Sequence, residues 1–359
     1  MKAAVCYEFG KPLVLEEVDI DSPQKGEVKV RLAATAICHS DIHKIRGELP
    51  GELPMIAGHE SSGYVEEVGD GVTSVKPGDP VLVSLVTACG KCFYCTTGRS
   101  FLCNAVFPMD TESRVRNKKG ESLSIMTRTG TFAEYSIVNE SQLVKLPDNM
   151  PMDSASLLAC GVITGFGSVV NRAQVRPFQS VVVIGNGGVG LNSIQGAAYS
   201  GAYPIIAVDL SDYKLESARS LGATHTINPN NTDAVKEVKE LTDGRGADYV
   251  FVTVGSTAAI VQGFSMLGRR GTAVIVGLPH FEDVLSVPPL QFIRDEKAII
   301  GAYMGSTRLS TDIPDLVNLY KIGRLKLDEL ITARYSLDQI NEAIESVERG
   351  EALRNVIVF

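Results

Sequence analysis

The sequence predicts an α/β protein of two parts, an all-β module of irregular-barrel type followed by a doubly wound parallel sheet. Three observations carry this prediction. The chain has 359 residues, too many for one ordinary core and suited to about two domains. Residues 1–150 hold short, β-branched, alternating segments broken by Gly and Pro, such as EVKVRLAAT (27–35), SSGYVEEVG (61–69) and DPVLVSLV (79–86), a pattern of half-buried strands in a barrel or sandwich. Beyond residue 160 apolar strands alternate with helical stretches, and repeated strand–helix units imply parallel strands with helices on both faces.

Taken in order, the start MKAAVCYEFGKPLVLEEV reads as strand, turn, strand and lacks the apolar core and cleavage site of a secretory leader. The piece from 104 to 130 has little periodicity and is expected to be a surface loop. The strands of the second part are SVVVIG (180–185), PIIAVD (204–209), YVFVTVG (249–255) and TAVIVG (272–277). Between them DYKLESARSLG (212–222) places apolar positions three to four apart, the helical period. The tail carries two amphipathic stretches, DIPDLVNLYKIG and LDQINEAIESVERG, then a last strand NVIVF. There is no internal repeat and no low-complexity segment. A hydrophobic content of 44%, a charged content of 21%, a net charge of −8 and a pI near 5.3 argue against a nucleic-acid or anionic-membrane footprint. No stretch of 18 apolar residues occurs, so no bilayer-spanning segment is expected. Seven cysteines, several at metal-ligand spacing, agree with a reducing compartment, and a cytoplasmic location is expected.

Four of those cysteines, Cys89, Cys92, Cys95 and Cys103, fall in the run CGKCFYCTTGRSFLC. One loop with this spacing wraps four thiolates around a single Zn2+ and leaves no open coordination position, so its role is to hold the loop. Two disulfides or an iron–sulfur cluster are the alternatives; the first sits poorly with the absence of a secretory signature, and the second uses similar spacings.

Gly185-Asn186-Gly187-Gly188-Val189-Gly190 follows the strand VVVI and opens the stretch LNSIQGAAYSG. A Gly-rich turn is weak evidence alone. Between a strand and a helix N-terminus it supplies the close backbone approach that pyrophosphate binding needs. The next strand ends in Asp209, placed to accept both adenosine ribose hydroxyls and to repel a 2′-phosphate, which selects NAD over NADP. The plainer alternative is that the glycines pack helix on strand and Asp209 caps the following helix.

The remaining candidate ligands are scattered: Cys38 in ICHSDIH, His59 in AGHESSGYVEEVG and Cys160 in LLACGVITGFG. A Cys in an apolar stretch is usually a small buried hydrophobe, a single His is usually structural, and the run from Cys38 to Asp41 also looks like a helix start. With these residues in view, the chain resembles the zinc-dependent alcohol dehydrogenases of the medium-chain dehydrogenase/reductase superfamily, essentially from end to end. Gly58-His59-Glu60-x2-Gly63-x5-Gly69-x2-Val72 matches that family's zinc signature at every fixed position. The run Cys38-His39-Ser40-Asp41-Ile42-His43, the four-cysteine lobe, the Gly-rich turn with its Asp, and Val276-Gly277 occur in the family's order.

The resemblance implies a GroES-like β-barrel catalytic domain over 1–160, completed by 304–359, and a Rossmann cofactor domain over 161–303. It implies two Zn2+ per chain, a structural ion on the lobe and a catalytic ion on Cys38, His59 and Cys160 with its fourth position left to water or alcohol. A neutral ligand set and Lewis acidity then allow hydride transfer between an alcohol and NAD. Ser40 and His43 would relay the proton, Asp41 would orient the His59 ring, and Glu60 would lie beside the metal. Plainer roles remain for two of these, an N-cap for Ser40 and an ordinary exposed histidine for His43. His39 and Arg354 would meet pyrophosphate, Lys214 the adenosine ribose, Thr164 and Val189 the nicotinamide, and Val276 its carboxamide. Many relatives carry Arg where this chain has His39, which should hold pyrophosphate less tightly above its pKa.

Leu49, Leu85, Phe132, Leu278 and Tyr303 are expected around the substrate, a mostly apolar set that suits a hydrophobic or aromatic alcohol; core packing is the alternative for any one of them. Glutathione-dependent formaldehyde dehydrogenases share every zinc and cofactor motif and are the runner-up. They need acidic and basic anchors at the cleft mouth, where this chain has Leu49 and Phe107, with Glu48 and Arg114 close by. By analogy with dimeric members, the sheet edge near 300–304 is expected to pair with a second copy, a tetramer being the alternative. A zinc-free NADPH reductase and a non-catalytic zinc- and nucleotide-binding protein are the remaining readings.

Overall fold

The ten-residue strand Glu27–Ala36 is the spine of the first part of the molecule. Its inward residues Val28, Val30 and Leu32 meet Val65, Val75, Val81, Val83 and Val138 in one apolar cluster. Each such side chain taken fully out of water contributes about 1.5–3 kcal/mol. In the computed structural model, which describes residues 1–359, this strand pairs antiparallel with Glu60–Val68, Tyr135–Asn139 and the terminal strand Arg354–Val358. The sheet runs in the order Leu143–Lys145, Pro80–Val83, Glu60–Val68, Glu27–Ala36, Arg354–Val358, Ile331–Tyr335. A second sheet has the order Val115–Asn117, Val14–Ile20, Lys2–Cys6, Met55–Ile56, Ser124–Ile125. The predicted strands in this half therefore exist, with ends within a few residues of those read from periodicity.

The chain divides into two compact units. One comprises Met1–Cys160, Arg308–Gly323 and Leu327–Phe359; the other comprises Gly161–Thr307 and Arg324–Lys326. The second unit is built on a six-stranded parallel sheet in the order His225–Ile227, Ile205–Val208, Val181–Ile184, Ala247–Val252, Leu267–Ile275, Ala298–Gly301. The central strand VVVI is wholly buried, as a strand covered on both faces must be. The helix Asp212–Ser220 forms where the 3.6 period predicts it, and its N-cap is the Ser211 side chain. The tail forms the helices Leu309–Lys321 and Ile340–Glu348 before the last strand.

One expectation needs correction. The segment 104–130 is no plain surface loop. Val115, Asn117 and Leu123 are buried, the strand Val115–Asn117 pairs with Val14–Ile20, and Arg114 makes a buried two-pronged ion pair with Glu27 at 2.8 and 3.0 Å. Its elements are two or three residues long, too short to leave a periodic trace. Met152–Ala173 is a 22-residue helix apolar enough, by length and composition, to cross a membrane, although 89% of its most apolar window is buried inside the protein. Interspersed Gly, Ser and Thr hid this helix from a search for unbroken apolar runs, and its burial is that of a core helix.

Candidate metal centres and cofactor site

In the lobe, Cys92 caps a four-residue helix, Phe93–Thr96, and the loop folds back so that the four sulfurs lie within 4.8 Å of one another. All four are unbridged thiols, which sets the disulfide alternative aside. Backbone N–H groups point at sulfur: Cys92 N to Cys89 Sγ at 3.3 Å, Cys95 N to Cys92 Sγ at 3.5 Å and Cys89 N to Cys103 Sγ at 3.3 Å. The N–H of Cys95, with further backbone and thiol donors, holds Cys92 down to about 6. Burial and the bond to Cys92 push Cys95 up to about 12. Donors aimed at sulfur favour thiolate, the form that binds metal.

The second cluster is assembled from distant segments. Cys38 is the N-cap of the helix His39–Ile45, His59 precedes the strand Glu60–Val68, and Cys160 sits in a π-helical turn, Leu158–Val162. Such turns are rare and collect at functional sites; here the Ser84 hydroxyl donates to the Ala159 carbonyl at 2.8 Å and holds the turn. One ligand atom from each of Cys38, His59, Glu60 and Cys160 lies within 4.8 Å of the others. Asp41 is buried and its two oxygens are both used, one on His59 Nδ1 at 2.6 Å and one accepting the Cys38 N–H at 2.9 Å. A proton on Nδ1 leaves the Nε2 lone pair for the thiols and any ion between them.

The electrostatics of this cluster are those of a site built for a cation. Burial opposes a charged His59, yet the Asp41 carboxylate and Cys38 hold its proton affinity well above the ordinary value. The bond between Cys38 and Cys160 pulls the first thiol down and, with burial, pushes the second up. Burial raises Glu60 to about 7 against the pull of Arg354. Glu60 Oε1 and Arg354 Nε are buried without a partner, and orphaned buried polar atoms ask for an explanation. Two thiols, an oriented imidazole and an unsatisfied carboxylate oxygen fit a divalent ion such as zinc.

Ser40 and His43 lie on the same helix as Cys38. The Ser40 hydroxyl donates to Cys38 Sγ at 3.2 Å and lies 3.4 Å from His59 Nε2; Cys38, not Ser40, is the cap. His43 is half-exposed and its Nδ1 meets the Glu48 carboxylate. His39 is exposed on the same helix. Arg354 is buried and one of its terminal nitrogens pairs with Glu60 beside the thiols, while its Nε has no protein partner. A cation on the last strand next to a buried carboxylate is drawn to that carboxylate.

In the second unit the Gly-rich turn has the predicted form. Gly185 has φ +88°, and a Cβ on Gly190 would fall 1.8 Å from the Gly185 carbonyl oxygen. Nothing lies within 4 Å of a Cβ on Gly187. Packing therefore does not explain that glycine, whereas a ligand approaching the N-terminus of the helix Gly188–Tyr199 would. Asp209 does not cap the next helix; its oxygens accept the N–H groups of Asn186 at 2.6 Å and Ser211 at 2.9 Å. Sequence reasoning missed Asn186, a buried side chain whose amide donates to the Val208 carbonyl at 3.0 Å and so ties the turn to the last residue of the strand before Asp209. Its signal was a polar residue inside an otherwise glycine and apolar turn. Lys214 is half-buried in the first turn of its helix, Val189 is half-buried, Val276 is buried, and buried Thr164 donates to Met304 Sδ at 3.8 Å.

Phe132 is 0% exposed and belongs to the core cluster with Ile56, Ala57 and Ala133. It packs over Gly58, whose added Cβ would come within 2.7 Å of its ring. Leu49 and Leu85 are half-buried in the first unit, Leu278 and Tyr303 half-exposed in the second. Of the candidate glutathione anchors, Arg114 is spent on Glu27 and Glu112, Glu48 on His43, and Phe107 is buried beneath Arg128.

Residues 24–148 match the family model described as an alcohol dehydrogenase GroES-like domain, and 188–321 match that of a zinc-binding dehydrogenase. An NDMA-dependent alcohol dehydrogenase of Amycolatopsis methanolica is 40% identical over 99% of this chain and 98% of its own. An S-(hydroxymethyl)glutathione dehydrogenase of Saccharomyces cerevisiae is 36% identical over 99% and 95%. The crystal structure of a benzyl alcohol dehydrogenase from Acinetobacter calcoaceticus superposes with a TM-score of 0.93 at 34% identity, covering 100% of this chain and 99% of that one. With both metal clusters and the Gly-rich turn in place, the chain belongs to the zinc-dependent alcohol dehydrogenases of the medium-chain dehydrogenase/reductase superfamily, oxidoreductases of small-molecule alcohols.

Proposed function

We propose that the chain is a zinc- and NAD-dependent alcohol dehydrogenase that interconverts a hydrophobic or aromatic alcohol and its aldehyde or ketone. The observation that carries this is the convergence of Cys38, His59 and Cys160, with Asp41 fixing the imidazole. Bound there, zinc supplies Lewis acidity toward the substrate oxygen, while NAD on the second unit supplies the hydride acceptor. The chain's own residues do the rest. Cys38, His59 and Cys160 hold the ion, and Asp41, bonded to Nδ1, orients the ring so that Nε2 faces it. The Ser40 hydroxyl, 3.2 Å from Cys38 Sγ, takes the substrate proton, and half-exposed His43 passes it outward.

Arg354 anchors Glu60 in this arrangement. Asp209, already oriented by two backbone N–H groups, selects a free ribose over a phosphorylated one. The four-cysteine lobe holds the second, structural zinc. The first unit is the catalytic domain and the second the cofactor domain. A homodimer in which the edge strand Ala298–Gly301 pairs with its copy accords with that strand's place at the end of the sheet. A cytoplasmic location accords with unbridged lobe thiols.

The test is metal analysis together with absorbance at the NADH band in the presence of benzyl alcohol. Two zinc per chain and NADH formation support the proposal; one zinc or none, without turnover, defeats it. A second reading, dependence on NDMA in place of free NAD, is favoured by the name of the Amycolatopsis relative. Turnover with NDMA and none with added NAD would select it. A glutathione arm tests S-(hydroxymethyl)glutathione, a substrate disfavoured by Arg114 being buried in ion pairs.

A further inference from the structure

Three buried threonines surround the loop that carries His59 and belong to none of the roles above. Thr35, Thr129 and Thr131 are each 1% exposed or less. The Gly58 carbonyl, one residue before the ligand, accepts the Thr131 N–H at 3.1 Å and shares the Thr129 hydroxyl with the Met126 carbonyl, each at 3.0 Å. The Glu60 carbonyl, one residue after it, accepts the Thr35 hydroxyl at 3.0 Å. The Thr35 and Thr131 hydroxyls lie 2.8 Å apart. A hydroxyl has one proton, and that of Thr35 is spent on Glu60, so Thr131 is the donor in this pair. The chain Thr131 to Thr35 to the Glu60 carbonyl thus has one direction, and the peptide plane that enters His59 and the one that leaves Glu60 are both held.

The segment presenting Thr129 and Thr131 is itself held in an uncommon conformation. Thr127 and Arg128 have φ of +50° and +61°, a region costly for residues with a Cβ and maintained only where the surroundings over-determine it. Arg128 supplies that constraint, bonding Asp110 and the Thr87 hydroxyl while its guanidinium lies 5.4 Å from the Phe107 ring centroid. Gly58 completes the fit. Its φ is +95°, and a Cβ there would meet Thr131 Oγ1 at 2.6 Å. The glycine before the histidine is required because the threonine brace occupies the space.

We propose that Thr35, Thr129 and Thr131 are positioning residues for the catalytic zinc, fixing the backbone on both sides of His59 so that its Nε2 is presented to the ion at a set angle. This rests on Cys38, His59 and Cys160 holding that ion. Groups that orient ligands are worth about 10–100-fold in metal affinity. For Thr131→Val and Thr35→Val, near-isosteric changes that remove only the hydroxyl, the dissociation constant of the Cys38/His59/Cys160 zinc is expected to rise at least about 10-fold, measured by chelator competition. The lobe zinc in the same chain is the internal reference and should leave at the wild-type rate. Cobalt substituted at the catalytic position should show a shifted visible absorption band in both valine variants. Thr35→Ser, which keeps the hydroxyl, should restore band and affinity. Unchanged affinity and band in the valine variants overturn the proposal, as does equal loss of both ions, the mark of general loosening. A wild-type protein that binds zinc only in the lobe defeats the underlying assignment instead, so the two failures are distinguishable.

Discussion

The two cysteine clusters solve the same problem of holding a divalent ion in opposite ways. The lobe draws all four sulfurs from residues 89–103, leaves them half-exposed, and directs backbone N–H groups at them. The other cluster gathers side chains more than a hundred residues apart in sequence, and buries them together with an Asp, a Glu and an Arg. A local clip needs only its own loop. A convergent site needs the barrel, the helix His39–Ile45 and the π-turn at Cys160 to be correct at once, and in exchange it can be surrounded by groups that tune it. The lesson is that spacing reports the first kind of site, whereas the second becomes visible only through its supporting shell.

The widest separation between the clusters should come from removing one sulfur from each. Cys160→Ser is expected to drop zinc from two ions per chain to one and to abolish alcohol oxidation while leaving the thermal midpoint near that of wild type. Cys95→Ser should also leave one ion, but the loss should appear chiefly as a lower thermal midpoint, because a closed four-thiolate site contributes folding energy. Metal analysis, melting curves and turnover on both variants check this. Equal effects on stability and activity from the two changes would erase the distinction.

A smaller change sharpens the same contrast. Asp41→Asn keeps the shape beside His59 but replaces a carboxylate with an amide that can also turn its NH2 toward Nδ1 and so favour the wrong tautomer. Zinc affinity at the buried cluster should fall about 10–100-fold, with the lobe unaffected. Chelator competition at neutral pH measures it, and a wild-type zinc affinity would mean that ring orientation is set elsewhere.

The pattern of legibility follows from this contrast. Strands such as Glu27–Ala36 and Val181–Ile184 were visible because period-2 alternation and a wholly apolar run leave a trace in a few residues. The lobe and the Gly-rich turn were visible because each is a contiguous segment whose chemistry dictates its spacing. The Cys38, His59 and Cys160 set was not derivable from residue spacing; each residue alone reads as ordinary, and family resemblance brought them together. Phe132 was misplaced because an apolar residue near a site in sequence can point to either face of the backbone, and Gly58 leaves room for its ring on the core side. The pairing of Arg354 with Glu60 was not legible because 294 residues separate the two. The threonine brace left no sequence signal, since a buried hydroxyl is recognisable only by what it bonds.

The finest test asks whether the two clusters are independent at all. Arg128 bonds Asp110, which follows the lobe, and Thr87, which precedes it, while its own backbone sets the turn that presents Thr129 and Thr131. Burial works against the Asp110 carboxylate, but the Arg128 guanidinium and the Phe107 N–H hold it below the usual range. Because the folded value is depressed, its contribution to stability is present above the ordinary carboxylate pKa of about 3.9 and is lost as pH falls through the folded value. Both partners are a quarter or more exposed, at 25% and 29%, so the pair is worth no more than about 1 kcal/mol. Asp110→Asn should therefore weaken the buried zinc site by less than about fivefold. Its thermal midpoint should lie below that of wild type by a constant margin from pH 8 to 5, and the margin should close below about pH 4. A margin that persists in acid would show that Asp110 acts through its backbone cap at Phe107, and the lobe and the buried site would then be mechanically separate.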